Sequence, residues 1–97
     1  ISTNIGAPPE TVLAPPRVPA TERTGWLVPP GDIAAYETAL LETLSLDDAG
    51  RTATGYRARE HVIAAFSTFE MQRATLAVYD NLLKCGMEGK FLKAASA

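Results

Sequence analysis

Few residues in this 97-residue chain could do chemistry, and none stands in a spacing that catalysis requires. Glu10 is the one carboxylate placed to meet a ligand. It follows Ile1–Ile5, a β-branched stretch that ends in Gly6, so it falls where a strand runs into a turn. Ligands of open α/β sheets sit beyond the carboxyl ends of the strands. The plainer role for Glu10 is to favour the start of a short helix and order the loop. His61 lies between Glu60 and Val62, and a lone histidine on a helix is more often structural or exposed than catalytic. Trp26 could stack on a base, although at strand spacing it reads as a packing residue. Arg51, Arg57 and Arg59 could meet a phosphate or an anionic lipid, with a solvated helix face as the plainer reading. The turn at Gly6 lacks the Gly-x-Gly-x-x-Gly pattern, so no dinucleotide site is assigned. Cys85 is the only cysteine, which excludes an internal disulfide and a multi-cysteine metal site and fits a reducing compartment.

These residues must be positioned by two unlike halves. All seven prolines fall within residues 1–31, and the chain beyond them is helical in pattern. Ile1–Ile5 predicts a strand end, and Pro8–Leu13 a short helix with Pro9 at a first position that needs no amide donor. Residues 15–24 predict a proline-stiffened loop. Trp26-Leu27-Val28 predicts a second short strand, stopped by Pro29-Pro30-Gly31. Asp32 is a good N-cap for a helix whose Ile33, Tyr36, Leu40, Leu41 and Leu44 share one face. Ser45 is expected to cap a second helix, with Asp47 and Asp48 in its first turn. Its apolar side is Ala49, Ala53, Tyr56 and Val62, with Arg51, Arg57, Arg59 and Glu60 mostly toward water. Ser67-Thr68-Phe69-Glu70 predicts a capping box, with Phe66 and Met71 spaced for a hydrophobic staple. The third helix runs to about Lys84 and stops at Gly86, with Met71, Thr75, Val78, Tyr79, Leu82 and Leu83 as its buried face. Residues 85–97 are expected to fray.

The order is therefore two short strands followed by three helices: the tail of an α/β domain. Two short strands do not make a stable parallel sheet alone, so strands upstream are expected. The chain starts at Ile1, as if already under way. The net charge of −2 argues against a general nucleic-acid binder. No stretch is apolar enough for a spanning helix, and no signal peptide is evident.

Gly6-Ala7-Pro8-Pro9-Glu10-Thr11-Val12 resembles the glycine-proline-glutamate loop of family 4 glycosyltransferases. Thr24-Gly25-Trp26-Leu27-Val28-Pro29-Pro30-Gly31-Asp32 is similar to that family's Thr-Gly-(Leu/Trp)-Leu-Val-Pro-Pro-Gly-Asp segment. Arg57-Ala58-Arg59, Phe66-Ser67 and Thr75-Leu76-Ala77-Val78-Tyr79 match the family's later features in order. The likeness covers residues 1–84, and the longer loop at Pro15–Arg23 resembles bacterial enzymes of lipopolysaccharide-core synthesis, often mannosyltransferases.

The resemblance implies a GT-B fold, with residues 1–84 as a partial Rossmann-like C-terminal domain that binds the donor. It implies retaining transfer of a hexose from a nucleotide sugar to a glycan or lipid acceptor, in the cytoplasm, with the inner membrane face as a place of peripheral association. Neither a cofactor nor a metal is expected, since helix dipoles and basic side chains steady the leaving diphosphate. Asn4, Gly6 and Glu10 become the donor-binding candidates. The family's spaced glutamate pair lies upstream of Ile1–Ile5 and is absent, so no catalytic residue is assigned and Glu37 and Glu42 do not replace it. A fragment inactive alone is expected, whose partner is the missing N-terminal part of the same chain. Three amphipathic helices in a row also suit a stand-alone helical interaction module. Another GT-B chemistry, such as a phosphorylase or epimerase, is a third reading.

Overall fold

The computed structural model describes all 97 residues, which fall into two compact units, Ile1–Val62 and Ile63–Ala97. Most of the chain is helical, and two very short strands form a parallel sheet.

In the first unit, β1 (Ser2–Thr3) pairs in parallel with β2 (Leu27–Val28), Ser2 opposite Leu27 and Thr3 opposite Val28. The pairing is completed by the Ser2 amide on the Trp26 carbonyl at 2.9 Å and the Asn4 amide on the Val28 carbonyl at 2.8 Å. Helix α1 (Pro8–Thr11) is a single turn in which Pro8, and not Pro9, takes the first position, and it ends two residues short of the expected Leu13. The proline-rich loop contains a 3-10 turn, Ala20–Glu22, where only irregular chain was expected, and its Pro15–Pro16 peptide is cis.

Helix α2 (Ile33–Leu44) is capped by Asp32, whose Oδ1 accepts from the Ala35 amide at 2.9 Å. Its packing reverses the expectation. Ala39 is the buried residue of α2, whereas Ile33, Tyr36, Leu40, Leu41 and Leu44 are exposed, Ile33 to 82%. The helix meets β2, where Val28 is 4% exposed. A helix approaches a narrow two-stranded ribbon most closely where its side chains are short. Ala35 and Ala39 allow that approach, and the ribbon is too small to cover the leucine face as well.

Helix α3 (Asp48–Phe66) is capped by Asp47, whose Oδ1 accepts from the Gly50 amide at 2.7 Å. Ser45 does not cap it. It closes α2, its amide bonding to the Leu41 carbonyl and its hydroxyl donating to the Glu42 carbonyl at 2.8 Å. The expected apolar side of α3, Ala49, Ala53, Tyr56 and Val62, is exposed, while Thr54, Arg57, Ala58 and His61 are half-buried. Arg57 thus turns inward and not to water.

In the second unit, α4 (Thr68–Leu83) starts at Ser67, whose Oγ accepts from the Glu70 amide at 3.2 Å. Only this half of the capping box forms, because the Glu70 carboxylate accepts from Arg73 Nε at 3.0 Å. The helix ends at about Lys84 as expected, but the left-handed stop is Lys84 itself at φ 53°, and Gly86 instead stands at the start of the next helix. The expected frayed tail is instead α5 (Met87–Ala95). Its cap comes from α4: the Asp80 carboxylate accepts from the amides of Met87 and Glu88, each at 2.8 Å. Arg73 reaches Glu88 at 2.8 Å, and the Phe69 and Phe91 rings stack with centroids 5.2 Å apart. The side of α4 toward α5 carries Arg73, Leu76, Ala77 and Asp80, all half-buried. Met71, Thr75, Val78, Tyr79, Leu82 and Leu83, expected to be buried, are exposed, Leu82 to 75%.

Candidate functional site

The donor-edge candidates lie where β1 ends. The Asn4 amide makes the last rung to β2, and its residue is exposed. Gly6 turns the chain at φ +71°, a left-handed conformation that side-chain-bearing residues avoid. Nothing lies within 4 Å of where its Cβ would be, so conformation and not space calls for glycine there.

The α1 turn follows. Its carbonyls from Ala7 to Glu10 are all met. The Ala7 carbonyl accepts from the Glu10 amide at 2.9 Å, and the Pro8 carbonyl from the Val12 amide at 2.8 Å. Arg17 Nη1 donates to the Pro9 carbonyl at 2.7 Å, and His61 Nε2 meets the Glu10 carbonyl at 3.0 Å. Just beyond, Leu13 is fixed to the Thr24–Trp26 turn. Its amide donates to Thr24 Oγ1 at 2.8 Å, and its carbonyl accepts from the Thr24 amide at 2.8 Å.

The Glu10 carboxylate, by contrast, makes no hydrogen bond or ion pair within the chain. It does not cap α1, whose N-terminus has no side-chain cap. A fixed backbone carrying an unpaired, exposed carboxylate can accept hydrogen bonds from hydroxyl or amine groups of a ligand.

A second polar cluster lies at Arg23, Trp26 and Glu42. Glu42 Oε2 accepts from Trp26 Nε1 at 2.7 Å and from Arg23 Nη1 at 3.1 Å. The Arg23 guanidinium lies 4.8 Å from the Trp26 ring centroid, over its face. The indole hydrogen bond, and then the Arg23 bond, hold the Glu42 carboxyl below its ordinary pKa. It is therefore a fixed acceptor and not a proton donor near neutral pH. Arg57 braces the same place, donating through Nε to the Arg23 carbonyl at 3.0 Å and through Nη2 to Thr54 Oγ1 at 3.1 Å. Arg23 Nε is buried without a hydrogen-bond partner.

The trio separates two clefts. One of about 310 Å³ runs along Ala35, Thr38 and Ala39; the other, about 520 Å³, lies toward Ser45, Thr54 and Arg57. Asn4, Gly6 and Glu10 line neither. No local period links Arg23, Trp26 and Glu42, so sequence pattern offered no sign that they meet. Trp26 is half-buried, its ring face against Arg23 and its N–H satisfied by Glu42.

No group of three or more His, Cys, Asp or Glu side chains is placed to hold a metal ion, and no helix is long and apolar enough to cross a membrane. No protein-family model, curated protein or solved structure matches the chain.

Proposed function

We propose that this chain is the C-terminal part of the donor-binding domain of a GT-B, family 4 retaining glycosyltransferase, similar to bacterial lipopolysaccharide-core mannosyltransferases. In this reading the whole enzyme transfers a hexose from a nucleotide sugar to a glycan or lipid acceptor, in the cytoplasm near the inner membrane face. The observation that carries the reading is the parallel pair β1–β2 with the Gly6 turn leaving its carboxyl edge and Glu10 unpaired beyond it. The motif order from Gly6 to Tyr79 supports it. So do the uncovered apolar faces of α2 and α4, which suit a surface that other protein covers.

Within this reading Gly6 lets the backbone come close to the donor, and the Glu10 carboxylate accepts from a sugar or ribose hydroxyl. The transfer step itself belongs to the glutamate pair of the family, which this segment lacks. Titrating the chain with a uridine diphosphate hexose and a guanosine diphosphate hexose, and following its amide resonances, tests the site. Shifts confined to Asn4–Glu10 are expected; shifts elsewhere, or none, would overturn the assignment. Sugar transfer by the 97-residue chain alone would sink the fragment half of the idea.

The same uncovered faces favour a second reading, a stand-alone helical interaction module. A translation start just upstream of the Ile1 codon would favour it. A reading frame extending some hundreds of residues further upstream would exclude it.

A further inference from the structure

The turn that presents Glu10 is held from outside itself. A one-turn helix cannot satisfy its own last carbonyls. In α1 Pro8 is met by the Val12 amide and the Thr11 hydroxyl, Pro9 by Arg17 Nη1 at 2.7 Å, and Glu10 by His61 Nε2 at 3.0 Å. A carbonyl can only accept, so the last bond places the imidazole proton on Nε2. The last two carbonyls are thus met by side chains from outside the turn, Arg17 of the loop after Pro16 and His61 of α3, the latter fifty-one residues from Glu10 in sequence. The Gly6 turn upstream has open space where a Cβ would stand, and beyond α1 the chain is fixed by Leu13 on Thr24 and Val12 against Gly25. Without Arg17 and His61, the segment between Asn4 and Val12 would keep just its internal bonds.

We propose that His61 and Arg17 are positioning residues that fix the Glu10 backbone so that its unpaired carboxylate stands at the carboxyl edge of β1. The ligand that Glu10 meets rests on the donor reading given above; the positioning itself does not. His61 is then neither an exposed nor a purely packing histidine. It couples α3, through one carbonyl, to the orientation of a carboxylate it does not touch by any bond of its own.

The test uses the whole chain and the variants His61→Ala, His61→Gln and Arg17→Ala, each with and without Glu10→Gln. Hydrogen exchange of the Val12 amide and the resonances of Gly6–Thr11 report the turn. Binding of the two nucleoside diphosphate hexoses reports the carboxylate. His61→Ala is expected to speed Val12 exchange about tenfold and to weaken probe binding about tenfold, Arg17→Ala to act in the same direction, and His61→Gln, which keeps a donor for the carbonyl, to restore much of both. In the Glu10→Gln background, His61→Ala should weaken binding no further. Unchanged Gly6–Thr11 resonances in His61→Ala and Arg17→Ala would overturn the proposal. So would an equal loss of binding with and without the Glu10 carboxylate, which marks a structural role only. If the turn responds as expected but neither probe binds the unsubstituted chain, the positioning stands and the donor reading fails.

Discussion

Gly25 lies so close to Val12 that a Cβ on the glycine would stand 2.9 Å from Val12 Cγ1. The contact joins the turn before β2 to the segment that leaves α1, beside the paired bonds between Leu13 and Thr24. Gly25→Ala is therefore expected to destabilise the first unit by about 1–3 kcal/mol through overpacking. Adding Val12→Ala should recover part of that loss, because the two sites share one contact. Chemical denaturation of the single and double variants measures both effects. A single variant as stable as the parent would contradict the packing argument.

Trp26 is the only tryptophan, so its fluorescence reports the bond between its indole and Glu42. The folded state lowers the Glu42 pKa, so the stabilisation is present above the ordinary value of 4.5 and is lost as pH falls through the lower folded value. A fluorescence change in that acid range is expected in the parent and should disappear in Glu42→Gln. The carboxylate is half exposed, which keeps the stability effect small.

Asp80 caps a helix to which it does not belong. Asp80→Ala should speed exchange of the Met87 and Glu88 amides and lower the helix content of α5, while α4 keeps its own. The Glu88 and Met87 amides hold the Asp80 carboxyl below its ordinary 3.8. The cap is thus complete above that value and fades as pH falls through the lower folded one. Protection of those amides, relative to their intrinsic exchange rates, that does not fall in acid would refute this.

Met71, Val78 and Leu82 on α4 are each well over half exposed. Replacing all three by lysine should leave unfolding of this chain nearly unchanged, about 0.5 kcal/mol per site at most. It should also reduce any self-association seen by light scattering. Leu76→Ala, on the side toward α5, should cost more than any one of them. A large stability loss in the lysine variant would mean that the exposed face is in fact packed.

Much of the element order was legible in the chain. Asp32 and Ser67 announced the starts of α2 and α4 because an N-cap and its amide lie three residues apart. Gly6 and Pro29-Pro30-Gly31 marked the ends of the two strands. Asn4, Gly6 and Glu10 were legible as an edge, since strand, turn and carboxylate follow one another directly.

What sequence could not reveal was everything decided across distance. Hydrophobic spacing shows which helix faces are apolar, but burial depends on whether something large enough lies opposite. With only two strands present, α2 settles on Ala35 and Ala39 and leaves its leucines outside. The cap of α5 escaped notice because its carboxylate belongs to the preceding helix. The Arg23–Trp26–Glu42 trio, and the His61 bond to Glu10, join residues that share no local period. By itself the sequence determined where α2 and α4 begin and where the strands end, because caps, prolines and left-handed glycines act within a few residues. Only the tertiary structure decided which faces are covered and what holds the Glu10 turn, because those outcomes are set by contacts between elements far apart in the chain.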